Sequence, residues 1–412
     1  MPKSIAIIGM LDTKGEQIEY LKQRIEGRGH KAIVIDVGVV GGVPFKPTIS
    51  RERVAVASGL RLQGIIALND KKAGMEKMAE GACEILKELY ARDELDGVVA
   101  MGGTMGTALA VVVMKVVPLF VPKLILTTIA YSPVITPDIV GGDDLMMLPW
   151  VGGLSGLNSL SRRVLETAAG AISGAAEEFG KKQAVEMRKV VGASGSGFAA
   201  FYNQLRPALA ERGYELAVFH FTGMNTRILE RAITDGLICA SLDLYVGPEL
   251  LDEILGGCYS AGEHRLEAAG KMGIPQIVAA GAIASRWSVN KPVPAEYAGR
   301  ANPPYNILHS TMTSVPEEYA AVAKLMAEKL NKAIGPTAMI IGMAKAGHVI
   351  SKGVKGMEVF AETRIKGMEA FREAFMKDID PKVKVVVLED GSPSDPRLVN
   401  TILTLFDEVM PR

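Results

Sequence analysis

The segment DGVVAMGGTMGTALAVVVMKVV, residues 96–117, passes from a short apolar run through a loop of three glycines and two threonines into a second apolar run. The first run is β-branched and strand-like, and the second begins where a helix would follow. A strand that hands over to a helix in this way is half of a parallel α/β unit. Ligands of such sheets sit beyond the carboxyl ends of the strands, where this loop falls. Glycines let main-chain N–H groups approach an anion with no Cβ in between, and the following helix adds unpaired amides and the positive end of its dipole. Gly102, Gly103, Thr104, Gly106 and Thr107 are therefore candidate phosphate-binding residues, with Thr104 and Thr107 able to cap the helix or donate a hydroxyl. The lysine of the GxxxxGK[ST] pattern is absent, which excludes a P-loop NTPase.

Outward from this loop the same alternation recurs. SIAIIG, KAIVIDVG and KLILTTIA read as strands, with helices from about Gly15, near Met75–Tyr90 and from about Thr104, which predicts a parallel sheet covered on both faces. A further helix is expected over residues 155–178, placed to join two domains. The pattern then restarts: residues 188–223 repeat the layout of residues 3–38, including an Arg-Gly turn at Arg28-Gly29 and again at Arg212-Gly213. DGLICASLDL answers DGVVAMGG and GIPQIV answers VPKLIL, with further strands at TAMIIGM and KVKVVVL and a closing helix near 395–410. The expected fold is α/β: two Rossmann-like open parallel-sheet domains, 1–182 and 183–412, facing a cleft and joined by a helix.

Composition narrows the class of function. Lys plus Arg equals Asp plus Glu at 46 each, so no global field exists to hold nucleic acid, and any anion must be bound locally. The most apolar stretch, residues 109–131, is broken by Lys115, Pro118, Pro122 and Lys123 into pieces too short to span a membrane. The N-terminus carries no secretory pattern, and a cytoplasmic location is expected. Cys83, Cys239 and Cys258 form no CxxC pair and are expected to be packing residues; the five histidines show no paired spacing, and no zinc site is predicted.

Other strand-end loops supply further candidates. In MLDTKGE, residues 10–16, Asp12 or Thr13 can cap the next helix, Lys14 can pair with a phosphate, and Asp12 can alternatively hold a Mg²⁺ that accompanies a nucleotide. Asp36 stands where ribose hydroxyls are often bound. TTIAYSP and VGGDDLMM belong to a long loop of the kind that carries function. In the second half GASGSGF has the form of an anion-binding turn, Ser194 and Ser196 lack an evident base, and His220 at a strand end is a candidate general base with packing as the alternative.

At these residues the chain resembles the Tm-1-like ATP-binding proteins. The matching segments are GMLDTKGE, VIDVGVVGGVP, GGTMGTALA, VPKLILTTIA, GLNSLSRRVLETAAGAISG, ERGYELAVFHFTG and SAGEHRLEAAGKMGIPQIVAAGAI. The resemblance implies a two-domain, often dimeric protein that binds ATP at the glycine-rich loops of its N-terminal domain, with Asp12, Thr13, Lys14, Gly102, Gly103, Thr104, Gly106 and Thr107 as the nucleotide site. Departures lie in the second half, at Gly195-Ser196-Gly197, in YNILHSTMTS (residues 305–314) and in GMAKAGHVISKG (residues 342–353). The leading expectation is an ATP-binding enzyme acting on a second small molecule. A non-catalytic nucleotide-dependent module and a sugar or sugar-phosphate isomerase or transferase are the alternatives.

Overall fold

The computed structural model describes residues 1–152, 156–180, 189–196, 201–281, 283–343, 360–389 and 396–410. Two compact units divide the chain, Met1–Val185 and Glu186–Arg412. The first contains β1 (Ser4–Gly9), α1 (Leu11–Glu26), β2 (Lys31–Asp36), α2 (Arg51–Ala57), α3 (Leu62–Ala67), α4 (Lys71–Ala91), β3 (Gly97–Gly102), α5 (Thr104–Met114), β4 (Lys123–Thr127), α6 (Pro137–Val140), β5 (Met146–Pro149) and α7 (Ser159–Phe179). Its five strands are parallel in the order β2-β1-β3-β4-β5.

Alternate residues of these strands feed opposite faces of the sheet. Ala6, Ile8, Ile33, Val98 and Ala100 pack under α4 and α5, whereas Ile5, Ile7, Val34, Val99 and Leu126 pack under α1 and α7. The helix expected to join the domains is α7; Val164, Leu165, Ala168 and Ile172 seat it on the first sheet, so it is a layer of that unit. Gly81, a weak helix former inside α4, has a tertiary reason. A Cβ there would lie 2.0 Å from the Val54 carbonyl oxygen of α2. Gly81→Ala is expected to push the two helices apart and cost about 1–3 kcal/mol, measured as a lower urea midpoint at unchanged m-value.

The second unit contains β6 (Lys189–Gly195), α8 (Tyr202–Glu211), β7 (Tyr214–His220), α9 (Met224–Thr234), β8 (Ala240–Asp243), α10 (Gly247–Leu255), α11 (Ala268–Met272), β9 (Gln276–Ala279), β10 (Ser285–Ser288), β11 (His309–Met312), α12 (Pro316–Asn331), β12 (Thr337–Gly342), α13 (Phe360–Asp378), β13 (Lys384–Leu388) and α14 (Pro396–Val409). Six strands form a parallel sheet in the order β13-β12-β9-β8-β6-β7, and β10 and β11 make a separate antiparallel ribbon. Counted from its own first strand, the second sheet repeats the wiring of the first: the first strand lies between the second and the third. The Arg-Gly turns correspond as well, since Gly29 and Gly213 both adopt a left-handed backbone, φ +86° and +84°.

Several elements escape a sequence reading: α2, α3, α6 and β5 in the first unit, and α9–α13 with the ribbon strands β10 and β11 in the second. α2 and α3 occupy residues 51–67, where no element is expected, and β5 forms inside the segment read as one long loop. β5 is a four-residue edge strand with both ends exposed, too short to show a period. Among the described residues no helix is long and apolar enough to cross a membrane. Lys123, one of the residues that breaks the apolar stretch, is fully buried at the start of β4, where it pairs with Asp143 at 3.2 Å and Asp144 at 2.6 Å.

Candidate functional site

In an open α/β sheet the crevice lies where neighbouring strands send their connections in opposite directions. In the first unit this point is between β1 and β3, and the two loops leaving their carboxyl ends are MLDTKGE and GGTMGT. The candidates from both loops therefore sit on adjacent strands.

α5 begins at Thr104 with Gly103 as its N-cap and no side chain capping it. Its first internal hydrogen bond runs from Thr107 N to Gly103 O, 2.9 Å, so the amides of Thr104, Met105 and Gly106 precede the helical ladder. Gly103 itself faces open space: a Cβ there would meet nothing nearer than Thr128 Oγ1 at 3.9 Å. Gly102 and Gly106 serve a different purpose. A Cβ on Gly102 would lie 2.8 Å from the Cα of Gly106, so this pair lets the helix lie close on the end of its strand. Thr107 corrects the sequence reading. Its side chain is fully buried, with Oγ1 donating to Gly103 O at 2.8 Å and lying 2.6 Å from Thr127 Oγ1; it braces the loop from below and presents nothing to a ligand.

α1 opens with one turn at Leu11, N-capped by Met10, whose carbonyl accepts from Thr13 N and Lys14 N; the backbone leaves helical geometry at Lys14 (φ −130°, ψ 17°), and the regular helix continues from Gly15, where the sequence places it. Neither Asp12 nor Thr13 caps the helix. Asp12 instead accepts from Val40 N at 3.1 Å through Oδ2, while its Oδ1 is buried with no partner. Lys14 is half-buried, and burial pushes its ammonium below the usual lysine range. The segment after β2 lies over this turn, because a Cβ on Gly15 would come within 2.1 Å of Pro44 Cγ.

Asp36 is a second correction. The carboxylate placed for a ribose is fully buried and accepts from Leu11 N at 3.1 Å, Gly38 N at 2.9 Å and Arg51 Nε at 2.9 Å. Arg51 in turn donates through Nη1 to Val40 O and Gly41 O. Asp36 and Arg51 thus tie the loops after β1 and β2 together from inside. Arg51 escapes a sequence reading because it lies 15 residues from its partner in an unassigned segment.

At the equivalent point of the second unit, between β6 and β8, the space is filled. Ser194 donates to Asp243, its direct neighbour across the two strands. Arg265, 1% exposed, holds Asp243 bidentately at 2.5 and 2.6 Å, Glu249 at 2.7 Å and Glu230 at 2.9 Å. Three carboxylates around one cation push Arg265 well above its usual range, and burial raises Glu249 and Glu230. The Tyr202 hydroxyl donates to Ser194 O at 2.6 Å and would stand 2.1 Å from a Cβ on Gly195. Ser194 is therefore a buried hydrogen-bond donor and not a nucleophile. The rest of the GASGSGF turn, from Gly197 on, and GMAKAGHVISKG from residue 344 on, lie outside the described residues, as does Ser155.

His220 is the exposed last residue of β7, lowered from the usual imidazole range by partial burial. Only Cys83 is a buried packing thiol, and burial pushes it up to about 11; Cys239 is half-buried and Cys258 exposed, so the packing role expected of all three holds for Cys83 alone.

The residues at β1 and β3 include donors suited to an anion, the uncapped amides of α5 and the half-buried Lys14, beside a carboxylate oxygen of Asp12 without a partner, which suits a cation. A magnesium ion accompanying the nucleotide would draw on the Asp12 carboxylate, whose Oδ1 has no partner. Among the described residues no group of three His, Cys, Asp or Glu side chains forms a protein-only cage.

Comparison with known proteins places the chain. The N-terminal domain of the uncharacterised protein family UPF0261 matches residues 3–181 and its C-terminal domain matches residues 188–410. The chain belongs to UPF0261. A UPF0261 protein of Brucella melitensis is 38% identical over 341 residues, covering 82% of this chain and 80% of its own. The ToMV resistance protein Tm-1(GCR237) of Solanum lycopersicum is 31% identical over 251 residues, 59% of this chain and 33% of that one, and so the resemblance read from the loops is borne out. Among solved structures, a Streptomyces glycosyltransferase, SsfS6, complexed with thymidine diphosphate, aligns over 66% of this chain and 81% of its own at 12% identity and a TM-score of 0.18, a likeness too low to carry an argument.

Proposed function

We propose that this UPF0261 protein binds ATP through its first unit, at the carboxyl ends of β1 and β3. One contrast carries the reading: of two sheets with the same wiring, the second has its switch point filled by Arg265 and its carboxylates, while the first keeps uncapped amides and open space at Gly103. The amides of Thr104, Met105 and Gly106 receive phosphate oxygens, and the half-buried ammonium of Lys14 adds charge. Asp12 would hold a Mg²⁺ accompanying the nucleotide, and the ion would neutralise phosphate charge. Phosphoryl transfer needs mainly positioning and charge stabilisation, which these groups can provide. The acceptor would be a small molecule.

Thermal shift against ATP, ADP, NAD and sugar phosphates tests the reading. At a hundredfold excess over Kd a ligand adds about 2.7 kcal/mol, a rise of roughly 5–10 °C for a unit of this size. Gly103→Val is expected to abolish the rise with the melting point of the free protein nearly unchanged, because the new side chain enters open space and covers the amides. Absence of any adenine-nucleotide response in the unsubstituted protein would overturn the proposal. Phosphate release by the purified protein then separates an enzyme from a binding module.

A further inference from the structure

The ribbon β10–β11 carries a buried charge with unfilled hydrogen-bond donors. Arg286 pairs with Thr311 across the ribbon and Ser288 with His309, so these four side chains share one face. Arg286 is 8% exposed, and its guanidinium donates only through Nη1, to Ala284 O at 3.1 Å and Ser285 O at 3.4 Å. Among the described residues its Nε and Nη2 have no partner, and no carboxylate lies within ion-pair distance. Asp252, the acid whose charge it feels, spends its oxygens on Ser285 Oγ at 2.6 Å, Arg286 N at 2.9 Å and Tyr259 N at 2.8 Å. Burial accordingly lowers Arg286 from the usual arginine range, the reverse of Arg265 in the same unit.

The groups around this cation are donors and neutral rings. Thr311 Oγ1, on the partner strand, is buried with no hydrogen-bond partner. His309 is pushed down to about 4 by burial, with the charges of Arg286 and His220 adding to it, so its imidazole is neutral at pH 7. Its Nδ1 lies 3.3 Å from the Tyr259 hydroxyl, and Tyr305 stacks on its ring with centroids 5.1 Å apart. A buried guanidinium with free donors, an orphaned hydroxyl beside it and no carboxylate within reach is an arrangement that an external anion completes.

We propose that this face of the ribbon binds the oxyanion group, a carboxylate or a phosphate, of a small molecule. Arg286 Nε and Nη2 clamp it, the Thr311 hydroxyl donates to it, and Tyr259 and His309 meet the rest of the ligand. The site is built from the second unit alone and does not depend on nucleotide binding by the first.

Calorimetric titration of the full chain carrying Gly103→Val, with sodium phosphate and sodium malonate as probes and sodium chloride as control, tests this with the first unit's phosphate site blocked. Saturable binding of either probe is expected, and the probe that binds identifies the oxyanion. Arg286→Gln is expected to weaken it about tenfold or more, and Thr311→Val roughly two- to tenfold. Should Arg286→Gln fail to fold, Thr311→Val decides, since valine keeps the shape and removes only the hydroxyl. No saturable binding of either probe overturns the proposal, as does unchanged affinity in Arg286→Gln, or in Thr311→Val where that variant decides.

Discussion

Arg265→Met is expected to lower the stability of the second unit by about 3–5 kcal/mol, because it leaves Asp243, Glu249 and Glu230 buried together without a cation. A loss of that size is a large share of the roughly 5–15 kcal/mol that holds a domain folded. The deficit also has a sign in pH. Burial raises the folded-state values of Glu230 and Glu249 above the ordinary carboxylate range. For such groups the folded state keeps protons that the unfolded chain has released, so stability falls as pH rises through the interval between the two values. Without the arginine that interval widens, and the variant's deficit is expected to be smaller at pH 5 than at pH 8. Urea unfolding of both proteins at the two pH values checks this. A deficit under 1 kcal/mol at pH 8 would mean that the three acids do not depend on Arg265. Arg265→Lys should fall between, since an ammonium keeps the charge but cannot hold Asp243 with two parallel hydrogen bonds.

The second large effect is expected at Asp36. Asp36→Ala removes the acceptor of Leu11 N, Gly38 N and Arg51 Nε at once, and leaves Arg51 a buried cation facing carbonyls alone. Breaking one side of a buried pair costs about 3–5 kcal/mol. The loops after β1 and β2 lose their common anchor, so the nucleotide-dependent thermal shift should vanish together with the stability. Adding Arg51→Met should restore part of the stability, because the uncompensated charge is gone, but not the shift. The cycle of single and double variants measures that coupling. If Asp36→Ala retains both stability and nucleotide response, the carboxylate is not the anchor its three hydrogen bonds indicate.

Much of the fold is legible along the chain because it depends on local pattern. β-branched runs separated by helical stripes give a parallel sheet, and the recurrence of that pattern after residue 188 gives a second. The family follows from GMLDTKGE, GGTMGTALA and SAGEHRLEAAGKMG for the same reason. Short elements are lost, and two long helices, α12 and α13, also lie outside the sequence reading. β5 and α3, at four and six residues, complete too few periods to stand out from a loop.

For the site, sequence alone placed GGTMGT and MLDTKGE at strand ends, since both follow apolar runs that must be strands. It could not tell a glycine needed for packing from one that leaves room for a guest. Gly102 and Gly106 are set by how closely α5 lies on β3, and Gly103 by what stands opposite it. Nor could it show that Thr107 and Asp36 turn inward, or that Arg51, Arg265 and Arg286, similar on paper, meet one carboxylate, three and none. Side-chain periodicity is written locally, whereas the partner of a buried charge is brought in from another strand or loop, and only the folded chain decides which one arrives.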